Sequence, residues 1–288
     1  MVTMKLAVHY IDFLPGPPEK LAPTLAATVK AAEDGGVDMF TLADHFFQME
    51  NFGPADHPFL EGYTSMGYLA ALTERITLTM LVTGVTYRYP GVLAKTVSTL
   101  DVLSGGRSMF GIGAAWYERE HHALGIPYPP LSERFEMLEE TLQICRQMWS
   151  PNDGAYQGTH YQLAETICQP QPIRRPPILI GGSGEKKTLR LVAQYADVWN
   201  ASSSLEELPH KLDVLRRHCD SVGRDVSEIR LTVGYLDDPF ADVDAYLRTL
   251  DEFAAMGFDT INTGPLPGNP DPAGWVKRLG DEVIPRLS

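Results

Sequence analysis

Cysteine is scarce in this chain, and the three cysteines that occur are far apart. Cys145, Cys168 and Cys219 lack the paired spacing of a zinc site or of a disulfide framework. The adjacent His121 and His122 also lack a partner motif, and neighbouring residues of a helix point apart. We therefore predict neither disulfide bonds nor a metal site.

Positive charge is also in short supply. The 288 residues include 24 Lys and Arg against 37 Asp and Glu, which gives a formal net charge of -13. Nucleic acids and anionic membranes are bound by clustered positive charge, so we expect neither as a partner. A small anion site built from backbone amides is compatible with this charge balance.

Long apolar runs and biased segments are absent from the sequence as well. No run is long enough to span a bilayer, and residues 1–11 do not show the basic and then apolar pattern of a secretory signal. The cytoplasm is therefore the expected location. Without a linker of biased composition or a low-complexity tract, residues 1–288 are predicted to form one domain.

Short apolar runs alternate with helical patterns along the whole chain. The predicted strands are residues 6–10, 37–42, 76–82, 107–113, 177–180, 197–200, 229–233 and 258–263. The predicted helices are residues 19–35, 62–72, 92–103, 131–149, 187–195, 205–222, 243–256 and 272–287.

This alternation predicts an α/β fold, a closed (β/α)8 barrel of the TIM type. A doubly wound open sheet is the competing architecture. A polar insert at about 150–177 is expected to form a loop or a small hairpin over the rim. In a barrel, the active site lies at the carboxyl ends of the strands, so the residues after each strand are the candidates.

The second predicted strand is followed by Asp44 and His45, with Phe46 and Phe47 next to them. A histidine exchanges a proton near neutral pH and can serve a bound ring or substrate as an acid or a base. A histidine bonded to a loop carbonyl is an equally good interpretation of its position.

Small residues follow the third and fourth strands. Gly84 permits a bulge under a flat ligand, although a simple loop is the commoner outcome. Gly113, Ala114 and Ala115 carry little side chain, so a planar ring can lie close to the backbone, and Glu118 follows as a polar neighbour.

The fifth strand opens into Gly181-Gly182-Ser183-Gly184, and a helical pattern follows. Three glycines in four positions allow a tight turn that brings several N–H groups close to a ligand. The start of the helix adds unpaired N–H groups and the positive end of its dipole. A phosphate is the predicted ligand, and an ordinary strand-to-helix turn is the alternative.

Taken together, these segments resemble the luciferase-like monooxygenase superfamily and, within it, the coenzyme F420-dependent oxidoreductases. The resemblance is carried by residues 43–47, 81–88, 103–107, 111–117, 180–189 and 196–197. It implies a (β/α)8 barrel with a deazaflavin, or alternatively FMN, across the mouth. The phosphate would be held after Gly181, by the amides of Gly182, Ser183 and Gly184, and the ring would lie near Gly113.

The resemblance also implies particular roles near the ring. A non-prolyl cis peptide is expected in the bulge after the third strand, between Gly84 and Val85. His45 would handle the proton, and Asp44 would orient it. Glu118 resembles an acid found near the ring in some relatives.

The implied activity is hydride transfer between coenzyme F420 and a small organic substrate. The carbon at the reactive position of a deazaflavin favours hydride transfer over oxygen activation. An FMN-dependent monooxygenase fed by a separate reductase and a non-catalytic flavin-binding protein are the rivals. The resemblance further suggests a homodimer that pairs through the helices flanking the second and third strands.

Overall fold

A computed structural model describes residues 4–287 of the chain. Eight parallel strands of this part form a closed sheet. They are β1 (Lys5–Tyr10), β2 (Met39–Leu42), β3 (Thr77–Met80), β4 (Ser108–Gly113), β5 (Ile178–Gly181), β6 (Val198–Ala201), β7 (Arg230–Gly234) and β8 (Thr260–Thr263).

The strands pair in chain order around the barrel, and β8 closes it against β1. At the closure, Lys5 lies opposite Thr260, and the sheet is continuous from β3 to β4 through the pairing of Leu78 with Ser108. The predicted (β/α)8 TIM barrel is therefore confirmed, and the open sheet is excluded.

Helices cover the outside of this sheet. They are α1 (Leu21–Asp34), α2 (Gly62–Leu72), α3 (Pro90–Leu103), α4 (Glu118–Leu124), α5 (Leu131–Met148), α6 (Thr188–Tyr195), α7 (Leu208–Val222), α8 (Val243–Ala255) and α9 (Pro272–Arg278). The sequence pattern missed α4, which has only seven residues. Such a short helix shows too little periodicity to stand out from a loop.

Strand residues alternate between two apolar layers. Leu6, Val8 and Phe40 belong to the main core between sheet and helices. Ala7 and Met39 belong to a small cluster with residues of β4, β5 and β6. Because successive side chains of a strand point to opposite faces, this second cluster fills the barrel interior.

The segment after β3 departs from the prediction. The chain leaves β3 after Met80, and a two-residue strand, Thr83–Gly84, then pairs with the end of β4. A non-prolyl cis peptide joins Leu81 to Val82, so the expected position between Gly84 and Val85 was wrong. The physical reason is that the strand ends two residues earlier than its apolar run suggests, which moves the bulge toward the N-terminus.

The segment 150–177 includes a small antiparallel hairpin, Tyr156–Gln157 with Gln162–Leu163. Glu140 of α5 accepts hydrogen bonds from the N–H groups of Thr159 (2.6 Å) and Tyr161 (3.0 Å), which ties the hairpin to the barrel. None of the helices between residues 4 and 287 has the length and apolarity needed to cross a membrane.

Arg107 connects several elements at the amino-terminal end of the barrel, opposite the predicted site. Its guanidinium donates to the carbonyls of Ala70, Thr73, Ile76 and Ser104 and to the Thr73 hydroxyl, at 2.7–3.0 Å. These acceptors lie at the ends of α2 and α3 and next to β3, so one side chain joins three elements. Residues 103–107, which carry part of the family resemblance, thus include an arginine that stabilises the fold.

We expect Arg107→Met to lower the free energy of unfolding by about 2–4 kcal/mol, because several carbonyls lose their donor together. Urea denaturation of the two proteins measures the difference. Arg75→Met is the matched control, since Arg75 is exposed and, among the described residues, its guanidinium donates only to the Glu33 carbonyl, at 3.3 Å. Equal losses in both variants would contradict the assigned role of Arg107.

Candidate active site

A cavity of about 500 Å³ opens at the carboxyl ends of the strands. Several residues that were predicted from the sequence line it: His45, Gly84, Gly113, Ala114, Ala115, Gly181 and Gly182. Other predicted residues do not contribute to its wall: Asp44, Val85, Glu118, Ser183 and Gly184. Seven of the twelve residues predicted from the sequence thus lie on the wall of one cavity, and their roles stay predictions.

The glycines of the cavity make room for Val82, which sequence reasoning did not select. A Cβ at Gly113 would lie 3.0 Å from Cγ2 of Val82, and a Cβ at Gly181 would lie 3.1 Å from its Cγ1. Contacts this short would force Val82 to move. The two glycines are therefore needed to seat the Val82 side chain in the floor of the cavity.

The turn after β4 carries Trp116 over the cavity. Ala115 adopts a left-handed φ of 60°, and its carbonyl accepts a 2.8 Å hydrogen bond from Arg134. Tyr128 donates from its hydroxyl to the Trp116 carbonyl at 2.9 Å. These contacts hold a backbone conformation that costs a non-glycine residue free energy. Trp116 remains 56% exposed and packs edge-to-face on His45 at 5.3 Å.

A buried carboxylate, Glu120, holds His45 in place. The Nδ1 atom of His45 lies 2.6 Å from Oε1 of Glu120, and the Tyr87 hydroxyl donates to the same oxygen. The other oxygen accepts from the N–H of Phe46 at 2.8 Å. Since Nδ1 is engaged, Nε2 is the ring nitrogen that His45 offers to the cavity.

The hydrogen bonds of Glu120 also decide its charge. Burial alone would raise the pKa of Glu120, but its hydrogen bonds with His45, Tyr87 and the Phe46 N–H bring the pKa below its usual value. Burial and the contact with Glu120 raise the pKa of Tyr87. At neutral pH, Glu120 is thus a carboxylate and Tyr87 a neutral donor.

The expected contact between Asp44 and His45 was wrong. Asp44 accepts two hydrogen bonds from Arg88, at 2.6 and 3.0 Å, and Arg88 also bonds to Glu61. Asp44 and His45 are neighbours in an extended segment, so their side chains point to opposite sides. Glu120 takes the orienting position that was predicted for Asp44.

Glu118 and Val85, which were also predicted for the site, lie outside the wall of the cavity. The side chain of Glu118 is 61% exposed, and its nearest cationic partner is His122 at 3.8 Å. Glu118 and Glu120 are two residues apart on α4 and therefore face opposite sides of the helix. Val85 is fully buried in the main core, where its N–H donates to the Gly113 carbonyl.

The glycine turn after β5 offers a different set of amides from the one expected. Gly182 has a φ of 107°, and its N–H already donates to the Asn200 carbonyl at 3.0 Å. The Gly182 N–H is thus engaged with Asn200 of β6 and is not a free donor for an anion. Within residues 4–287, the N–H groups of Ser183, Gly184 and Glu185 donate to no protein acceptor.

Two polar residues of the cavity, His9 and Asn200, were not predicted from the sequence. They lie within strands, whereas the candidates were sought after the strand ends. Nδ1 of His9 lies 2.7 Å from the Thr41 hydroxyl, and burial, with the nearby His45, lowers the pKa of His9 to about 4. Oδ1 of Asn200 accepts from Thr232 and Asn262, both at 2.9 Å. A neutral imidazole and an amide NH₂ group therefore face the cavity.

Residues 13–236 match the model of the luciferase-like monooxygenase family. The chain belongs to this family. An F420-dependent glucose-6-phosphate dehydrogenase of Microbacterium testaceum is 34% identical over 176 residues, which are 60% of this chain and 50% of that protein. The chain thus spans half the length of that relative.

Solved structures agree on the fold of this luciferase-like chain. The coenzyme F420-dependent tetrahydromethanopterin reductase of Methanopyrus kandleri has a TM-score of 0.81 at 16% identity, over 99% of this chain and 100% of that one. The monooxygenase RslO1 of Streptomyces bottropensis has a TM-score of 0.75 at 19% identity, over 98% and 99% of the two chains. At these identities, the likeness concerns the barrel alone.

The two glutamates of α4 provide a matched pair of variants in this luciferase-like barrel. We expect Glu120→Gln to lower the free energy of unfolding at neutral pH by about 2–4 kcal/mol, because it removes a buried charge from its donors. Glu118→Gln is expected to change it by less than about 0.5 kcal/mol. Urea denaturation measures both.

The pH dependence of the same pair gives a second check. A carboxylate whose pKa is lowered by folding contributes stability above its unfolded pKa, and this stability is lost as the pH falls through the folded value. The difference in free energy of unfolding between wild type and Glu120→Gln should therefore become smaller as the pH falls below the usual glutamate pKa of 4.5. A gap that stays constant from neutral to acid pH would contradict the assigned charge of Glu120.

Proposed function

We propose that this protein transfers a hydride between coenzyme F420 and a small organic substrate, with His45 as the group that exchanges the proton. The observation that carries this proposal is the His45–Glu120 pair, which leaves Nε2 of His45 free on the wall of the cavity. The F420-dependent dehydrogenase relative supports the choice of coenzyme.

The cavity and the turn after β5 fit a deazaflavin with a phosphate tail. The unpartnered N–H groups of Ser183, Gly184 and Glu185 precede α6 and suit an anion. Val82 and the small residues Gly113 and Ala114 offer a surface for a flat ring. When bound, the coenzyme supplies a carbon centre that accepts or gives a hydride.

The protein's own residues would then orient the substrate and move its proton. Glu120 keeps the His45 ring oriented and stabilises the positive charge that the imidazole gains when Nε2 takes a proton from a hydroxyl group. In the reverse direction, the same nitrogen returns the proton to a carbonyl oxygen. Trp116 and Phe52 line the cavity and would exclude water from the reacting atoms.

Two rivals share this barrel. An FMN-dependent monooxygenase would use the same phosphate turn but would bind FMN in preference to F420. A non-catalytic flavin-binding protein would bind the coenzyme without changing its redox state. The first rival differs from the proposed function in the coenzyme that it binds, and the second differs in having no turnover. A titration with F420 and with FMN, followed by an activity assay, therefore distinguishes the three functions.

We expect the purified protein to bind F420 more tightly than FMN, as measured by fluorescence titration. His45→Gln should lower kcat by about 10²–10⁴-fold, because it removes the proton acceptor, and should leave the Kd for F420 within about twofold. Glu118→Gln serves as the control with wild-type turnover.

Tight FMN binding without F420 binding would replace the proposal by the monooxygenase rival. F420 binding without redox change across a broad panel of alcohols and ketones would favour the binding protein. Unchanged turnover in His45→Gln would remove His45 from the mechanism while leaving the coenzyme assignment intact.

We further infer a homodimer that pairs through α2 and α3. An apolar groove of about 440 Å³ runs between these helices, where Tyr63 and Gly67 of α2 face Val92 and Leu103 of α3. Val92 is 62% and Leu103 67% exposed in the isolated chain. A second copy is the favoured occupant because the groove, which Lys95, Thr96 and Thr99 also line, exposes apolar side chains that a symmetric partner would cover. The cytoplasmic location remains a prediction.

Leu103→Glu should convert the dimer to a monomer, because it would place a charge in the apolar interface. Light scattering coupled to size exclusion measures the mass. Val222→Glu at the end of α7 is the control, since Val222 is equally apolar and 42% exposed but lies far along the chain from this groove. A wild-type monomer would refute the inference, as would a dimer that persists in Leu103→Glu.

A further inference from the structure

The wall of the cavity around His45 is apolar and aromatic. Met49 is buried in a small cluster with Ile11 and Tyr117, and Phe52 packs against the same cluster. Met49, Phe52 and Trp116 line the cavity beside His45. A substrate that brings its reacting carbon to His45 must therefore place the rest of its body against apolar groups.

The arginines close to this wall are already engaged by protein groups. Arg88 is held by Asp44 and Glu61. Arg134 donates to the Ala115 carbonyl and lies 4.0 Å from the centre of the Tyr128 ring. Neither Lys nor Arg, among residues 4–287, contributes to the wall of the cavity. An anionic substrate would thus find no cation inside.

The loops that follow β6, β7 and β8 contain acidic residues but no Lys or Arg. The segments that follow β6, β7 and β8 are residues 202–207, 235–242 and 264–271, and none of the three contains Lys or Arg. They do contain Glu206 and Glu207 after β6, and Asp237 and Asp238 after β7. Carboxylates at the mouth repel an approaching phosphate, and burying a phosphate without a cation is unfavourable.

We propose that the substrate is a small uncharged alcohol or ketone with an apolar body, and that phosphorylated sugars are excluded. This inference rests on the proposed function. In the oxidative direction, the carbinol C–H bond breaks and its hydrogen passes with both electrons to the deazaflavin. The hydroxyl proton passes to Nε2 of His45, and a C=O double bond forms. The substrate loses two electrons, which the deazaflavin gains.

This substrate class separates the chain from the relative named for glucose 6-phosphate, to which it is 34% identical over 176 residues. An uncharged substrate is also compatible with a coenzyme that carries a phosphate. The amides after β5 suit the phosphate of the coenzyme, and the wall beside His45 suits a neutral group.

The test uses the full chain loaded with F420 and follows the loss of absorbance of the oxidised deazaflavin. Cyclohexanol is the neutral substrate, and glucose 6-phosphate and cyclohexylamine are the charged competitors. We expect kcat/KM for cyclohexanol to exceed that for each charged compound by about 100-fold or more. In Phe52→Lys, kcat/KM for cyclohexanol should fall at least tenfold, with the Kd for F420 within about twofold of wild type.

Faster turnover of glucose 6-phosphate or of the amine would overturn the assigned substrate class. F420 binding with no turnover of cyclohexanol, cyclohexanone or linear secondary alcohols would also overturn it, while the coenzyme assignment survives. Failure to bind F420 is a distinct result, because it would remove the proposed function and this inference with it. Val222→Lys, which introduces the same side chain at an exposed apolar position outside the cavity, is the control and should keep the wild-type kcat/KM for cyclohexanol.

Discussion

The contact between Glu120 and His45 is the constraint on which the site depends. It joins the end of β2 to α4 across the mouth of the barrel, and the same carboxylate engages Tyr87 and the Phe46 N–H. A buried carboxylate without donors would be strongly unfavourable, so these groups must assemble together or not at all. The orientation of His45 is thereby set before any ligand arrives.

A second constraint is the close approach of backbone around Val82. Gly113 and Gly181, on adjacent strands, both leave space for its side chain, and Gly111 lies so near the Met80 carbonyl that a Cβ there would lie 1.9 Å from the oxygen. The small residues at these strand ends thus serve the packing of the segment after β3. Because these residues are small for that reason, a flat ring can also lie close to their backbone.

The sequence was sufficient for the barrel and for the position of its mouth, because strand and helix periods alternate clearly and the site of such a barrel lies at the strand ends. It was insufficient for the partner of His45. Glu120 lies 75 positions further along the chain, on a helix of seven residues, and only the folded barrel brings the two together. The commitment of the Gly182 amide to Asn200 is likewise set by the pairing of β5 with β6. Recognising α4 as a helix would have shown that Glu118 and Glu120 lie on opposite faces. One of the two glutamates would then have been expected to point inward.

The distribution of donors and charges divides the mouth into two regions with different chemistry. At the β5 end, backbone N–H groups of Ser183 and Gly184 are the available donors, and they attract an anion without requiring a basic side chain. At the His45 end, the wall is apolar, and Glu120 lies buried behind the imidazole without lining the cavity. In a protein of net charge -13, amides concentrate anion binding at one place while the carboxylates of the rim disfavour it elsewhere. A coenzyme would therefore place its phosphate at the β5 end, and an uncharged substrate would lie against the apolar wall beside His45.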